Sequence, residues 1–109
     1  MQITTFLQEK HLTIALKGEI DHHGAKGTLH NIADKIDQYM PVVCDLDFKA
    51  VSFMDSSGIA VVIHSYRRMK EIGGKLKLKN VGMQPWKVLH TAGIDRIVET
   101  ERRETQNET

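Results

Sequence analysis

The sequence has 109 residues, of which 40% are hydrophobic and 27% charged, and its formal net charge is +1 at pH 7 with the histidines neutral. A chain of this length forms one domain and buries roughly two thirds of the surface that its unfolded form exposes. The near-zero charge gives no overall positive field, which argues against direct binding of nucleic acid or of an anionic membrane.

The residues that report on compartment favour the cytoplasm. The one cysteine, Cys44, has no partner for an internal disulfide and fits a reducing compartment. The first residues, MQITTFLQEK, have neither the basic start nor the apolar stretch of a signal peptide. No apolar run approaches the ~18 residues of a membrane span, so we expect a cytoplasmic domain without a membrane contact.

The chain opens with a predicted pair of strands. HLTIALKG alternates apolar residues with polar or small ones, which is strand periodicity. ITTFLQ before it is expected to form the partner strand, across a turn at residues 9–11. The inward side chains of the second strand are Leu12, Ile14 and Leu16.

A helix is predicted next, from His23 to Met40. Its apolar residues recur at helical spacing, and Pro41 ends it. Asp21 stands where the cap of this helix or the end of the preceding strand would be. The apolar face of the helix consists of Leu29, Ile32, Ala33, Ile36 and Met40.

The sequence in the middle of the chain predicts a third strand and a second helix. VVCDLDF, from Val42 to Phe48, is interpreted as a strand and KAVSFM as a connection. The helix after it ends at Gly73-Gly74, because glycine tolerates the left-handed conformation that follows many helices. The inward residues are Val42, Cys44, Leu46 and Phe48 on the strand and Ile59, Val62, Ile63, Tyr66 and Met69 on the helix.

The remaining segments complete an α/β fold. KLKLKNV alternates as a strand, QPWKVLHTAG is a short helix and IDRIVE a last short strand, whereas residues 100–109 are polar and are expected to be a disordered tail. Successive strand–helix–strand units imply parallel pairing through right-handed crossovers. We therefore predict one domain, residues 1–99, with a mixed, mostly parallel sheet of about four or five strands and about three or four helices.

The segment MDSSG, Met54 to Gly58, carries the candidate functional residues. It follows apolar residues and opens a predicted helix, so its backbone N–H groups and the helix dipole suit an anion or a phosphorylated side chain. Asp55, Ser56 and Ser57 are all favoured capping residues, and capping alone would explain them. A phosphoserine, with about −1.5 to −2 charges at pH 7, would also be tolerated here and would reverse the charge of the surface.

An enzymatic interpretation has little support. A nucleophilic serine would need the pattern G-x-S-x-G, but Met54 stands two positions before Ser56 and Asp55 two before Ser57. His22 and His23 are adjacent, and adjacent side chains rarely converge on one metal ion. The basic residues between 67 and 79 are typical of solvated helix and strand faces.

Three segments resemble the STAS-domain anti-sigma-factor antagonists in order and spacing. They are GEIDHH at residues 18–23, DLDFKAVSFMDSSG at residues 45–58 and IGGKLKL at residues 72–78, and the resemblance runs from about Leu12 to Val98. The DHH sequence is most similar to the sporulation type, which regulates the forespore sigma factor.

The resemblance implies a protein switch. In this family the unphosphorylated antagonist binds an anti-sigma factor that is also a serine kinase, and this frees the sigma factor. The kinase phosphorylates the first serine of the pair, here Ser56, the product dissociates, and a serine phosphatase restores the serine. The resemblance implies no cofactor, no metal and no catalytic activity of the antagonist itself, and we expect a monomer.

The same resemblance assigns a partner-binding surface. Asp21 matches the family aspartate near the phosphorylated serine. Ile59 and Ala60 match the start of the helix that touches the kinase, where many relatives carry leucine and glycine. The partner-binding residues so implied are Asp21, Asp55, Ser56, Ser57, Gly58, Ile59 and Ala60.

Two alternatives stay open beside the switch. The chain can be a STAS module that scaffolds a stress or signalling complex without being phosphorylated. A hydrolase that uses one of the serines is the more distant alternative.

Overall fold

A computed structural model describes residues 1–103 of the chain. It has five strands, three α-helices and a short 3₁₀ turn, which confirms the predicted fold class. Among these residues no helix is both long enough and apolar enough to cross a membrane. The elements are β1 (Gln2–Gln8), β2 (His11–Ile20), α1 (Ala25–Tyr39), β3 (Val43–Met54), α2 (Ser57–Glu71), β4 (Lys75–Val81), α3 (Met83–Thr91), the 3₁₀ turn (Ile94–Arg96) and β5 (Glu99–Arg102).

The strands lie side by side in chain order, β1-β2-β3-β4-β5. β1 is antiparallel to β2, and the other neighbours are parallel. Because each parallel connection is expected to be right-handed and the strand order always advances in one direction, α1, α2 and α3 lie on the same face of the sheet. The alternation of β2 agrees, since Leu12, Ile14 and Leu16 are buried while Thr13 and Ala15 are half-buried.

Cys44 lies in this core, as the sequence predicted. Its side chain is fully buried on β3 between the buried partners of the neighbouring strands, Leu12 and Leu76. Burial raises the pKa of the Cys44 thiol to about 12, and the adjacent Asp45 carboxylate adds to the effect. The thiol therefore stays protonated and unreactive at neutral pH.

β3 is longer than the sequence predicted. It has 12 residues and includes the segment KAVSFM, which was wrongly interpreted as a connection. The register between β2 and β3 shifts between Ala15 and Lys17 and again between Gly18 and Glu19. These irregularities turn Phe48, Val51 and Met54 inward at a spacing of three residues, so the alternation that identifies a strand is lost.

The other end of β3 also differs from the prediction. Val42 precedes the strand and is 58% exposed, so its assignment to the inward face was wrong. Its backbone is nevertheless used: the Val42 N–H donates to the Lys10 carbonyl and the Lys75 N–H donates to the Val42 carbonyl. Val42 therefore serves as a backbone link between the β1–β2 turn and β4.

The last strand lies later than expected. Residues 94–96 form the 3₁₀ turn, and β5 occupies residues 99–102, so the tail predicted from residue 100 was wrong for its first part. Ion pairs of Glu99 with Lys75 and Lys77, and a hydrogen bond from the Arg103 N–H to the Val81 carbonyl, hold this polar edge strand. β5 has no apolar periodicity, so the sequence pattern did not indicate a strand here. Residues 104–109 of the predicted tail lie outside the described residues.

The end of α2 requires glycine at two positions for different reasons. Gly73 has φ +77°, a left-handed conformation that ends the helix as predicted, and its N–H donates to the Lys70 carbonyl. At Gly74 the constraint is space, because an added Cβ would lie 2.9 Å from the carbonyl oxygens of Pro41 and Val42. The helix end is thus packed directly on the chain that enters β3.

Gly74→Ala and Gly27→Ala are therefore expected to change stability in opposite directions. Gly74→Ala forces backbone displacement and is expected to destabilise the fold by about 1–3 kcal/mol. Gly27 lies exposed within α1 with nothing within 4 Å of an added Cβ, so Gly27→Ala is expected to stabilise it by roughly 0.5–1 kcal/mol. Urea unfolding of both variants measures the difference, and equal effects would contradict this account.

Candidate functional site

The candidate site lies where β2 and β3 end. Ile20 and Met54, their last residues, are register partners in a parallel pair, so the segments after them leave the sheet at the same edge. The Asp55 N–H donates to the Ile20 carbonyl at 3.0 Å. Residues 21–24 and the start of α2 are therefore neighbours although more than 30 positions separate them in the sequence.

Asp55 holds these two segments together through its carboxylate. One oxygen, Oδ1, accepts the Ser57 N–H at 2.8 Å, and the other, Oδ2, accepts the His22 N–H at 3.1 Å. These bonds, the one from the Ser57 N–H above all, lower the pKa of the Asp55 carboxyl from its ordinary value, with smaller contributions from the Ser57 hydroxyl and from His22. Of the three capping candidates Asp55, Ser56 and Ser57, it is thus Asp55 whose side chain binds a backbone N–H at the start of α2, that of Ser57.

Ser56 occupies the residue before the first residue of α2. Its backbone is helical, with φ −63° and ψ −17°, and its carbonyl accepts the Ile59 N–H at 3.1 Å. Its side chain makes no capping hydrogen bond and the residue is exposed. The hydroxyl thus lies at the positive end of the helix dipole while Asp55 does the capping.

Gly58 has a different position from the one that the sequence suggested. It is buried, and a Cβ at this residue would overlap Cγ and Sδ of Met54. Gly58 therefore allows α2 to begin directly over the last residue of β3. Its contribution to the site is this close approach, and the surface itself is formed by its neighbours.

The other predicted residues surround Ser56 to different degrees. Ala60 is exposed, whereas Ile59 is half-buried and packs against the core. Asp21 directly follows β2; its Oδ1 accepts the Gly24 N–H at 3.0 Å and its carbonyl accepts the Ala25 N–H at 2.9 Å. Asp21 therefore organises the turn that leads into α1, but it occupies neither of the two positions considered for it, since β2 ends at Ile20 and Gly24 precedes the helix.

Gln84 belongs to the site and was missed by the sequence analysis. Its Nε2 donates to the Met54 carbonyl and its Oε1 accepts the Met54 N–H, both at 2.8 Å. The pairing of β3 with β4 ends at Asp47 and Lys79, so the backbone of Met54 has no strand partner on that side. The side-chain amide of Gln84, at the start of α3, takes the place of the missing strand partner. No local sequence pattern predicts a hydrogen bond of this kind.

The structure assembles neither a nucleophile with its base nor a metal centre in the part of the chain that it describes. Within residues 1–103 no hydrogen bond joins the hydroxyl of Ser56 or Ser57 to a histidine. The rings of His22 and His23 lie edge to face with their centroids 5.7 Å apart. No group of three or more His, Cys, Asp or Glu side chains in this region is arranged to hold a metal ion.

Comparison with known proteins identifies the family. Residues 2–107 match the STAS domain, and the chain belongs to that family. The anti-sigma F factor antagonist of Paenibacillus polymyxa is 28% identical over 87 residues, which cover 80% of this chain and 74% of the relative. The anti-sigma-B factor antagonist of Bacillus subtilis (strain 168) is 27% identical over 92 residues, covering 84% and 82%.

A solved structure agrees with the fold over nearly the whole chain. The Bacillus cell fate determinant SpoIIAA in its phosphorylated form superposes with a TM-score of 0.70 and is 25% identical, covering 96% of this chain and 93% of that one. The relatives therefore include antagonists of both the sigma F and the sigma B type, and one of them has been solved with a phosphate attached.

Asp55→Ala is expected to destabilise the fold in a pH-dependent way. Because the folded pKa of Asp55 is lowered, its stabilising contribution is fully present above the pKa of an unfolded aspartate, about 3.9, and is lost as the pH falls through the lower folded value. The difference in unfolding free energy between wild type and Asp55→Ala, measured in urea, should be largest near neutral pH and shrink below pH ~4. A difference that grows in acid would contradict this.

Gln84→Met tests the bond between α3 and β3. The substitution keeps the length of the side chain but leaves the N–H and carbonyl of Met54 without their partner, so we expect a loss of roughly 1–3 kcal/mol. Gln38→Met, on the exposed side of α1, is the matched control and should stay within about 0.5 kcal/mol of wild type. Hydrogen exchange at the Met54 amide should accelerate only in Gln84→Met.

Proposed function

We propose that this protein is an anti-sigma-factor antagonist that is switched by phosphorylation of Ser56. Its unphosphorylated form binds an anti-sigma factor with serine kinase activity and thereby frees the sigma factor. The observation that carries the proposal is that two different residues act at the start of α2. Asp55 caps the helix, so the exposed hydroxyl of Ser56 is available for phosphorylation. Membership of the STAS family and the names of the relatives support it.

The chemistry of the proposed switch is a group transfer to Ser56. The hydroxyl oxygen attacks the γ-phosphorus of ATP in the kinase, ADP leaves, and the hydroxyl proton is released. A serine phosphatase transfers the phosphoryl group to water and restores the hydroxyl. The chain supplies Ser56 as an exposed acceptor whose side chain makes no capping hydrogen bond. Asp55 holds the backbone around it, through its bonds to the N–H groups of Ser57 and His22.

Release of the partner follows from electrostatics. The phosphate adds about −1.5 to −2 charges beside the Asp55 carboxylate, at a surface that also carries Asp21. The helix dipole makes this charge tolerable for the fold, since the start of α2 is its positive end. A partner that docks closely on the uncharged serine would have to bury this new charge beside an existing one, so the complex dissociates while the antagonist stays folded.

The partner surface comprises the accessible groups around Ser56. Asp21, Asp55, Ser57, Ile59 and Ala60 form it, and Gly58 contributes by letting α2 begin close to β3. We place this switch in the cytoplasm and assign it neither a cofactor nor a catalytic activity.

Ser56→Ala and Ser56→Asp are expected to separate binding from release. With ATP and the cognate anti-sigma kinase, intact-mass measurement should show one added phosphate on the wild type and on Ser57→Ala, and none on Ser56→Ala. Ser56→Ala should bind the kinase in the presence of ATP without being released, and Ser56→Asp should bind at least about tenfold more weakly. Equal affinities of Ser56→Ala and Ser56→Asp for the kinase would contradict the proposed mechanism.

The same experiment distinguishes the second candidate function. A STAS module that only scaffolds a complex would bind its partner with no added phosphate on the wild type. If a phosphate appeared on Ser57 instead, the switch would stand but its assignment to Ser56 would be wrong. Thermal unfolding of each variant serves as the folding control.

A further inference from the structure

The last part of β3 has a neighbouring strand on one side only. Its pairing with β2 continues to Met54, whereas its pairing with β4 ends at Asp47. Within residues 1–103, the backbone of residues 48–54 therefore has no strand partner on the side of β4. Met54 lies only two residues before Ser56, so the position of this strand end decides where the candidate site lies.

Two side chains from distant parts of the sequence occupy the free side of β3. The amide of Gln84, at the start of α3, binds the N–H and the carbonyl of Met54, both at 2.8 Å. The guanidinium of Arg103, directly after β5, donates from Nη2 to the carbonyl of Lys49 at 2.6 Å and to that of Phe48 at 3.5 Å. We refer to Gln84 and Arg103 as the β3 brace, because they bind the two ends of the segment that β4 leaves unpaired.

Arg103 is itself fixed by β4 and by the start of α3. Its N–H donates to the carbonyl of Val81, the last residue of β4, at 2.8 Å. Its guanidinium passes over Gly82, where an added Cβ would lie 3.3 Å from Cζ and from Nη1. Gly82 in turn precedes α3, and its carbonyl accepts the Trp86 N–H at 2.9 Å. Both members of the β3 brace thus extend from backbone that is already held in place.

Met54 is coupled to Ser56 by packing as well as by the chain. Its side chain lies against Gly58, where an added Cβ would overlap Cγ and Sδ of Met54. The Gly58 N–H also donates to the Asp55 carbonyl at 3.0 Å. Since close-packed groups transmit displacements, a shift of Met54 moves the start of α2 and Ser56 with it.

We propose that Gln84 and Arg103 are positioning residues of the Ser56 switch: by holding the free side of β3, they keep Ser56 where the anti-sigma kinase binds it. This inference rests on the proposed function. Each side chain acts on the backbone of β3 and needs no contact with the kinase. A chain without the brace populates states in which the end of β3 is displaced, so its apparent affinity falls with the fraction that stays in place.

Phosphorylation kinetics with the anti-sigma kinase and ATP test this role. In Gln84→Met and Arg103→Met the KM for the antagonist should rise at least about threefold while kcat stays unchanged, because every chain that binds has Ser56 in place. Arg103→Lys keeps a donor for the carbonyl of Lys49, so its KM should lie between those of the wild type and Arg103→Met. Arg96→Met removes an exposed arginine of the 3₁₀ turn and should leave KM unchanged.

Gly74→Ala controls for a general loss of stability. We expect it to destabilise the fold about as much as Gln84→Met does, but at the opposite end of β3, beside the carbonyls of Pro41 and Val42. At a temperature where thermal unfolding shows every variant to be folded, Gly74→Ala should keep the wild-type KM.

Hydrogen exchange in the free chain separates positioning from direct contact with the kinase. The amides of Asp55 and Ser57 should exchange at least about threefold faster in Gln84→Met and Arg103→Met, because they exchange through local opening of this segment. Gly74→Ala should leave both amides at the wild-type rate.

The outcomes distinguish the inference from the proposed function. A KM that rises without faster exchange would assign the β3 brace to the kinase interface and overturn the inference. An unchanged KM, a fall of kcat in its place or an equal rise of KM in Gly74→Ala would overturn it too, while phosphorylation of Ser56 in the wild type would still support the switch. A wild type that gains no phosphate at Ser56 would contradict the proposed function, and the inference with it.

Discussion

The carboxylate of Asp55 is the interaction on which the candidate site depends. Each of its oxygens accepts one backbone N–H, that of Ser57 at the start of α2 and that of His22 after β2. Both donors belong to segments that leave the sheet and would otherwise lack a protein partner. The two bonds are possible only because β2 and β3 are parallel neighbours that end in register, at Ile20 and Met54.

The surroundings of that carboxylate form a series of backbone attachments. Gln84 binds both backbone groups of Met54, so the last residue of β3 is held by α3 on one side and by β2 on the other. Gly58 brings α2 onto the side chain of Met54. Ser56 is thus mounted on a segment whose backbone is fixed from several directions, while its own side chain makes no capping bond.

The parts of the fold that were predictable are those with strong local periodicity. The alternation in β2 and β4 and the apolar stripe of α2 identify these elements directly, and the preference of aspartate for capping positions identifies Asp55. The part of β3 beyond Phe48 was not predicted as a strand because its irregular register against β2 spaces the buried residues by three instead of two. The position of β5 was not predicted because ion pairs and backbone hydrogen bonds hold this strand, and neither produces an apolar pattern. The role of Gln84 was not predicted because its partner, Met54, is 30 residues away in the sequence.

Cross-strand charge pairing explains why the basic residues of β4 create no basic surface. The register places Lys77 between Asp45 of β3 and Glu99 of β5, and Lys79 pairs with Glu101. Asp45 is in turn bound by His11 at 2.7 Å. Each exposed pair contributes little to stability, but together they neutralise a row of lysines that would otherwise attract polyanions.

The helical backbone of Ser56 has a consequence for recognition. With φ −63° and ψ −17° the residue already lies in the first turn, and the Ile59 N–H is bonded to its carbonyl. An enzyme that reads extended peptides would have to unwind this turn before it reached the hydroxyl. A partner therefore recognises the conformation of this segment as well as its sequence. An unfolded peptide with the sequence MDSSG lacks the helical turn, so recognition of this kind requires the folded chain.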